Sequence, residues 1–307
     1  MAEWSKAPDS RLCLLCDRGT DTMSQQPVRY FEDKNHAEAY ARYRIRFPSD
    51  VVDCIVRYVQ DGGGELNNAV DIGCGTGHQS TVPLARVFRH VVGVDVSQEQ
   101  IRQTPHLSNV DFRVGRGEDL AFLESSSVNV VSVATAIHWL DLPTFYKEVD
   151  RVLTPRGCLA VYWMQRQKHE NEEAEAAIKE FHDSMSEYRA EGVKRIWDRK
   201  EIPECPYGTW LHDTNVMITK TMTVEDFIKL SSTMSSWQRY LEAKPSTTKL
   251  TDYREKLSSL LHKDTEENQG FSPSMELKYL VNILLWSHNW ELLQLGALTA
   301  GSSHNWE

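Results

Sequence analysis

The sequence lacks a long apolar run, and it also lacks an excess of positive charge. No eighteen consecutive residues are apolar, so a transmembrane helix is not expected. The 34 lysines and arginines stand against 44 aspartates and glutamates, which gives a formal net charge of −10. A dedicated nucleic-acid-binding protein has a net basic footprint. We therefore expect a protein of 307 residues that binds neither a membrane nor nucleic acid.

Cysteine is scarce, and its spacing argues against a zinc site. The chain has six cysteines, of which only Cys13 and Cys16 have the spacing of a ligand pair. No second cysteine or histidine pair lies nearby to complete a tetrahedral site. Scattered free cysteines behave as small apolar residues and persist in reducing compartments. We expect no metal site and a cytoplasmic location.

Two common nucleotide-binding fingerprints are absent from the most informative stretch, residues 69–77, which reads AVDIGCGTG. The dinucleotide pattern G-x-G-x-x-G needs a third glycine where His78 stands. The phosphate-binding pattern fails too, because no Gly-Lys-Ser/Thr follows. What remains is an apolar strand that carries Asp71 and is followed by alternating glycines.

The glycines of this stretch predict a ligand that lies against the backbone. Side chains at Gly73, Gly75 or Gly77 are expected to occupy the ligand's space. A second apolar strand, residues 91–94, ends in Asp95, twenty residues after Gly75. One carboxylate accepts hydrogen bonds from both hydroxyls of a ribose, so Asp95 is a candidate ribose ligand. A glycine-rich turn in an unrelated α/β protein remains the alternative.

At these residues the chain resembles the class I S-adenosylmethionine-dependent methyltransferases. The resemblance implies S-adenosylmethionine as the cofactor. It assigns the amino-acid end of the cofactor to Asp71 and the glycine loop, and the ribose to Asp95. The loop residues concerned are Gly73, Cys74, Gly75 and Gly77.

The turn after the third predicted strand, residues 110–114, also belongs to this resemblance. In related methyltransferases the turn contacts the adenine, often through an acidic side chain. Glu118 is the candidate here, with Asp119 as an alternative. Arg116 stands where many relatives have aspartate.

A continuous apolar strand over residues 128–134 predicts the centre of a parallel sheet that is covered on both faces. Ligands of open α/β sheets bind beyond the carboxyl ends of the strands, which points His138 and Trp139 toward the working site. This pair and the stretch that follows it resemble the trans-aconitate methyltransferase-like branch (methyltransferase type 11). The resemblance implies that Ala136 contacts the cofactor and that His138 and Trp139 are catalytic.

The sequence predicts an α/β fold with a doubly wound, mostly parallel, Rossmann-like sheet and a helical cap inserted after strand five. Five βα steps in residues 69–163 favour this fold, and residues 78–90 are predicted to form a helix. We expect a disordered extension over 1–27, without a visible cleavable signal, and a cofactor-binding core over 28–164. Residues 165–307 are expected to form the cap and to complete the sheet.

The end of the chain is irregular in sequence. Residues 277–285 are compatible with a strand or a short helix, while 292–307 does not resemble the seventh strand of related enzymes. The pentapeptide SHNWE occurs at 287–291 and again at 303–307. These features leave open which segment forms the edge of the sheet.

The residues predicted to bind the methyl acceptor are mostly cations. A carboxylate is ionised at neutral pH and needs no general base, which agrees with the lack of an evident acid–base pair. Guanidinium groups orient carboxylates by paired hydrogen bonds. The candidates are Arg44, Arg46, Arg166 and Arg239, with Trp237 in the cover of the site and Tyr40 in a flap over the cofactor.

We therefore predict a methyltransferase that methylates an oxygen of a small carboxylic acid and acts as a monomer or weak oligomer. Two alternatives remain open at this point. One is a protein or apolar small-molecule acceptor, and the other is a catalytically inactive interaction module with the same fold.

Overall fold

Five strands follow one another through the first half of the chain and pair in parallel. The structure, a computed structural model, describes residues 42–195, 210–262 and 273–287. The order of the parallel strands across the sheet is β3-β2-β1-β4-β5. The strands are β1 (Asn68–Ile72), β2 (His90–Asp95), β3 (Val110–Val114), β4 (Val128–Ala134) and β5 (Leu153–Arg166).

Three antiparallel strands complete the sheet beyond β5. They are β6 (Leu211–Asp213), β7 (Met217–Thr223) and β8 (Ser274–Ser287). The strand β8 pairs with β5 from Tyr279 to Ser287, and both β6 and β7 pair with β8. Residues 277–285 therefore lie in a strand, and β6 and β7, which precede β8 in the chain, supply the pairing beyond it. Residues 292–307 lie outside the described part of the chain.

Helices cover both faces of the sheet, as nearly continuous burial of β1, β2 and β4 requires. On one face α1 (Ser49–Asp61) packs its apolar stripe, including Ile55 and Val59, against β1 and β5. On the other face α4 (Leu142–Val152) buries Phe145 and Val149. The doubly wound fold predicted from the sequence is confirmed.

The helix predicted over residues 78–90 is much shorter in the structure. Only α2 (Thr81–Leu84) is helical there, and α3 (Gln98–Arg102) follows β2. Pro83 lies within α2 and has no N–H for a helical hydrogen bond. Short-range turn bonds follow, such as the one from the Arg86 N–H to the Pro83 carbonyl at 3.2 Å.

The cap predicted after strand five corresponds, in the described part of the chain, mainly to four helices that follow β5. They are α5 (Glu172–Asp183), α7 (Val224–Ser232), α8 (Ser235–Ala243) and α9 (Lys249–His262), with a single turn α6 (Glu191–Val193) after α5. Aromatic rings form the cap's own core: Phe181 and Tyr253 stack with centroids 4.1 Å apart. Met275 and Leu277 of β8 belong to the same core, so the strand joins the cap to the sheet.

Candidate functional site

The carboxyl ends of β1 and β4 define the point where the strand order reverses, which is where open α/β sheets bind ligands. A cleft of about 330 Å³, partly open to solvent, lies there. Its walls come from the end of β1, the glycine loop, the turn after it and the end of β4. The lining residues are Asp71, Gly73, Cys74, Gly75, Thr76, Gln79, Ser80 and Ala134.

Asp71 brings a buried carboxylate to the floor of this cleft. It is fully buried, and the Thr81 hydroxyl donates to its Oδ2 at 2.6 Å. Its Oδ1 is buried without a hydrogen-bond partner in the described part of the chain. Burial raises the pKa of Asp71 to about 6, although the hydroxyls of Thr81, Ser80 and Ser132 oppose the shift. An acceptor of this kind suits a donor on a ligand.

Three hydroxyls fix the wall beside Asp71. The Tyr162 hydroxyl donates to Ser80 Oγ at 2.7 Å and lies 3.1 Å from Ser132 Oγ, while the two serine oxygens are 2.9 Å apart. All three residues are buried. Burial raises the pKa of Tyr162, so its hydroxyl stays protonated and available as a donor. The network holds the turn after the glycine loop against β4 and β5.

The glycine loop has a left-handed backbone at each of its glycines. The φ angles of Gly73, Gly75 and Gly77 are +67°, +57° and +79°. A Cβ on Gly73 would lie 2.5 Å from the Cβ of Ala136, and one on Gly77 would lie 2.7 Å from the Phe112 ring. Backbone conformation and protein neighbours thus require these glycines. From the sequence we expected side chains at these positions to enter the ligand's space. This expectation is wrong, because they would point at Ala136 and Phe112 of the protein itself.

Asp95 binds the glycine loop directly. Its Oδ2 accepts from the Gly75 N–H and its Oδ1 from the Ser97 N–H, both at 2.8 Å. Burial raises its pKa, and the backbone hydrogen bonds oppose that shift. Each carboxylate oxygen has a further lone pair, so these two bonds leave acceptor capacity for hydroxyl groups.

The segment after β4 carries the predicted catalytic pair. Thr135 has φ +56°, a strained value for a β-branched residue, and its N–H donates to the Tyr162 carbonyl at 2.8 Å. His138 and Trp139 follow in a 3₁₀ turn, with ring centroids 4.7 Å apart. Burial and the nearby charge of Arg44 lower the pKa of His138 to about 4, so the imidazole is neutral at pH 7.

The cap touches this segment closely. A Cβ on Gly192, in α6, would lie 2.0 Å from the His138 carbonyl oxygen. On another side, Arg44 Nη2 donates to the Thr233 carbonyl, after α7, at 3.2 Å. The structure thus brings Arg44, His138 and two parts of the cap together.

The remaining acceptor candidates have other partners. Arg166 makes a two-bond ion pair with Glu175, at 2.7 and 2.9 Å, which occupies its guanidinium within the cap. Arg239 Nη1 donates to the Tyr188 carbonyl at 3.2 Å. Trp237 is buried in the cap core. Their predicted contacts with an acceptor stay predictions, and the geometry of Arg166 and Trp237 does not favour them.

Glu118 links the turn after β3 to the start of α4. Its Oε1 accepts from the Asp141 N–H at 2.9 Å and lies 3.4 Å from Arg116 Nη2. The predicted contact with adenine stays a prediction. Tyr40 and its predicted contact lie outside the described residues.

Comparisons with known proteins agree with this geometry. Residues 70–161 match the family described as "Methyltransferase domain". Residues 70–161 form a methyltransferase domain with the class I fold. Its cofactor is S-adenosylmethionine, as the sequence predicted.

Relatives of this methyltransferase domain extend the match in sequence and in fold. A Dictyostelium discoideum protein described as a methyltransferase is 27% identical over 217 residues, which cover 69% of this chain and 81% of that protein. CRG1 of Saccharomyces cerevisiae, described as an S-adenosylmethionine-dependent methyltransferase, is 30% identical over 145 residues, and this chain spans about half of it (48%). A solved methyltransferase from Anaeromyxobacter dehalogenans shares the fold, with a TM-score of 0.64 and 22% identity over 80% of this chain and 98% of that chain.

The residues of this methyltransferase domain fit the cofactor. The Oδ1 of Asp71, which has no hydrogen-bond partner among the described residues, suits an ammonium group, and Asp95 retains acceptor capacity for ribose hydroxyls. The folded glycine loop leaves the cleft beside Asp71 open. Among the described residues, no group of three or more His, Cys, Asp or Glu is placed to hold a metal ion. No described helix is both long and apolar enough to cross a membrane.

Two glutamines of the methyltransferase domain escaped the sequence interpretation. Gln79 lines the cleft, and the buried Oε1 of Gln100 lies 2.6 Å from where a Gly75 Cβ would be. Both Oε1 atoms lack a partner within the described ranges. Glutamine is common on surfaces, so its type alone carries little information. The sequence signal that could have indicated Gln79 as a cleft residue was its position two residues after Gly77.

The raised pKa of Asp71 predicts a pH-dependent cofactor affinity. Near pH 6 about half of the carboxyl groups are protonated, and only the ionised form pairs with an ammonium group. We expect the affinity for S-adenosylhomocysteine to rise about tenfold between about pH 5 and pH 7 and then to level off. Calorimetry across this range measures it. Asp71→Asn should bind more weakly with a flat profile, and a wild-type profile without a rise would contradict the assignment.

Proposed function

We propose that this methyltransferase transfers a methyl group to a carboxylate oxygen of a small organic acid, in the manner of the trans-aconitate methyltransferase-like branch. The observation that carries the proposal is the placement of Arg44. Its guanidinium donates to the Thr233 carbonyl of the cap. Its charge adds to the lowering of the His138 pKa by burial, and it opposes the rise that burial causes in the pKa of Tyr279. A cation therefore lies where the cap meets the carboxyl end of the sheet.

The residues supply binding and orientation in this proposal. When bound, the cofactor supplies an activated methyl group on its sulfonium. Asp71 and Asp95 hold the cofactor's ammonium and ribose, and Arg44 orients the acceptor carboxylate. The cap, whose Gly192 packs closely against the His138 backbone, excludes water from the site.

The state of His138 supports an acceptor that is already ionised. An imidazole whose pKa is lowered to about 4 is a weak base at pH 7. A hydroxyl or ammonium acceptor must lose a proton, which this imidazole accepts poorly. A carboxylate has no proton to lose at pH 7, so a neutral His138 can line the site without acting as a base.

Methyl transfer from radiolabelled S-adenosylmethionine to a panel of small acids tests the reaction. We expect base-labile label in the product, because methyl esters hydrolyse in mild alkali whereas methyl ethers and methylamines do not. Base-stable label on a protein or an apolar small molecule would replace the carboxylate proposal by the alternative acceptor. Cofactor binding without transfer to any acceptor class would favour the inactive interaction module.

Arg44→Ala should raise the KM for the acid about 10- to 100-fold, the usual cost of a charge-assisted hydrogen bond. The affinity for S-adenosylhomocysteine should stay unchanged. Arg44→Lys should recover part of the loss, because lysine keeps the charge but not the planar pair of donors. Arg102→Ala, which removes an exposed ion pair with Glu99, is the matched control.

Arg239→Ala should raise this KM less than Arg44→Ala does, because Arg239 contacts Tyr188 within the cap, whereas the charge of Arg44 lies beside His138. Steady-state kinetics of the Arg44→Ala, Arg239→Ala and Arg102→Ala variants give the comparison. An unchanged KM in Arg44→Ala would remove Arg44 from the acceptor site.

A further inference from the structure

A short segment before α1 touches the cofactor cleft, the cap and the sheet core. We call residues 42–47 the bridge segment. Its Ile45 carbonyl accepts from Gln79 Nε2 at 2.9 Å, and its Arg44 donates to the Thr233 carbonyl at 3.2 Å. Phe47 is buried edge-on against Tyr162, with ring centroids 4.8 Å apart. Gln79 of the cleft wall and Thr233 of the cap therefore hold the segment that carries Arg44.

Gln79 is the contact between the bridge segment and the cleft. The Ile45 carbonyl can only accept, so the amide NH₂ of Gln79 must face it. This fixes the opposite side of the amide, where Oε1 is buried without a hydrogen-bond partner in the described residues. Gln79 lines the cofactor cleft together with Asp71. A buried acceptor without a donor is unfavourable, so a donor on a bound ligand is its natural partner.

We propose that Gln79 is a positioning residue that couples occupation of the cofactor cleft to the placement of Arg44. An ammonium group has three donors, enough for both Asp71 Oδ1 and Gln79 Oε1. A ligand donor that binds Gln79 Oε1 fixes the orientation of the Gln79 amide. The NH₂ of the same amide donates to the carbonyl of Ile45, the residue after Arg44. The Arg44 guanidinium is then held firmly in place only when the cofactor is bound. The link to the acceptor rests on the proposed function of Arg44, whereas the coupling to the bridge segment does not.

Hydrogen exchange of the full-length chain, with and without saturating S-adenosylhomocysteine, tests the coupling. In the wild type we expect the ligand to slow exchange of the bridge segment about tenfold, the factor that 1.4 kcal/mol is worth. In Gln79→Leu, which has neither donor nor acceptor, this ratio should fall below about twofold. A purely structural role would speed exchange equally with and without ligand, and would leave the ratio unchanged.

Gln79→Glu separates the two ends of the amide. Ionised glutamate keeps an acceptor for the ligand but cannot donate to the Ile45 carbonyl. We expect calorimetric affinity for S-adenosylhomocysteine within about threefold of wild type, with the protection of the bridge segment lost. Gln98→Leu, at an exposed position of α3, is the matched control and should retain both properties.

Either Gln79 variant retaining wild-type protection at saturation would overturn the coupling. Gln79→Glu decides the question if Gln79→Leu does not fold. Failure of the coupling is distinguishable from failure of the proposed function. Protection that depends on Gln79, without methylation of any acid, would sustain the coupling and overturn the acceptor proposal. Methylation of an acid, without protection that depends on Gln79, would support the acceptor proposal and overturn the coupling.

Discussion

Asp95→Ala should weaken binding of S-adenosylhomocysteine at least about 100-fold, because the two charge-assisted hydrogen bonds that we propose between its carboxylate and the ribose would be lost. A second effect adds to this one. The Asp95 carboxylate accepts from the Gly75 and Ser97 N–H groups, and its removal leaves both buried donors without that partner. The loop that shapes the cleft then loses this side-chain link to β2 and keeps only its backbone hydrogen bonds to Val94. Calorimetric titration measures the affinity, and thermal unfolding measures the cost to the fold.

Two further variants locate the cause of the loss. Asp95→Asn keeps one acceptor oxygen and should fall between wild type and alanine. Asp111→Ala removes an exposed carboxylate that pairs with His90 on the neighbouring strand, and should leave the affinity unchanged. Wild-type affinity in Asp95→Ala would remove Asp95 from the cofactor site.

Gly73→Ala should lower the free energy of unfolding by about 2–5 kcal/mol, which combines backbone strain with a steric clash. The strain follows from φ +67°, and the clash from a Cβ that would lie 2.5 Å from the Cβ of Ala136. Denaturant unfolding gives the loss directly. We also expect cofactor binding to fall, because the clash would displace the loop that lines the cleft.

Ala136→Gly in the same chain separates strain from clash. Without the Ala136 Cβ, the next nearest atom to the new methyl group is the residue 136 Cα at 3.9 Å, an ordinary contact. The double variant should therefore recover about 1–3 kcal/mol of the loss, while the strain at residue 73 remains. Equal stability of the single and double variants would show that the two residues do not meet as described.

The sequence predicted the parallel sheet and the cleft because both depend on local patterns. Apolar strands that end in Asp71 and Asp95 appear directly in the sequence, and the loop between them is marked by its glycines. Parallel strands bring their carboxyl ends to one edge of a sheet, which placed these residues beside the segment of His138. The sequence could not show why glycine is required at residues 73 and 77, because the side chains that crowd them, Ala136 and Phe112, come from distant parts of the chain.

Features set by long-range partners were beyond the sequence. The pairing of Arg166 with Glu175 joins a strand to a cap helix, and either residue alone looks like a surface charge. Completion of the sheet by β6 and β7 depends on pairing with β8, some sixty residues later in the chain. The contact of Gln79 with the bridge segment likewise joins residues 34 positions apart.

Calorimetric titration of the chain with S-adenosylmethionine, with NAD as the control ligand, tests the central claim most directly. The fit of Asp71, Asp95 and the glycine loop to one cofactor predicts micromolar binding of S-adenosylmethionine and none of NAD. Both carboxylates should be needed for that binding. A folded protein that binds neither ligand, or that binds NAD instead, would contradict the assignment of the cleft.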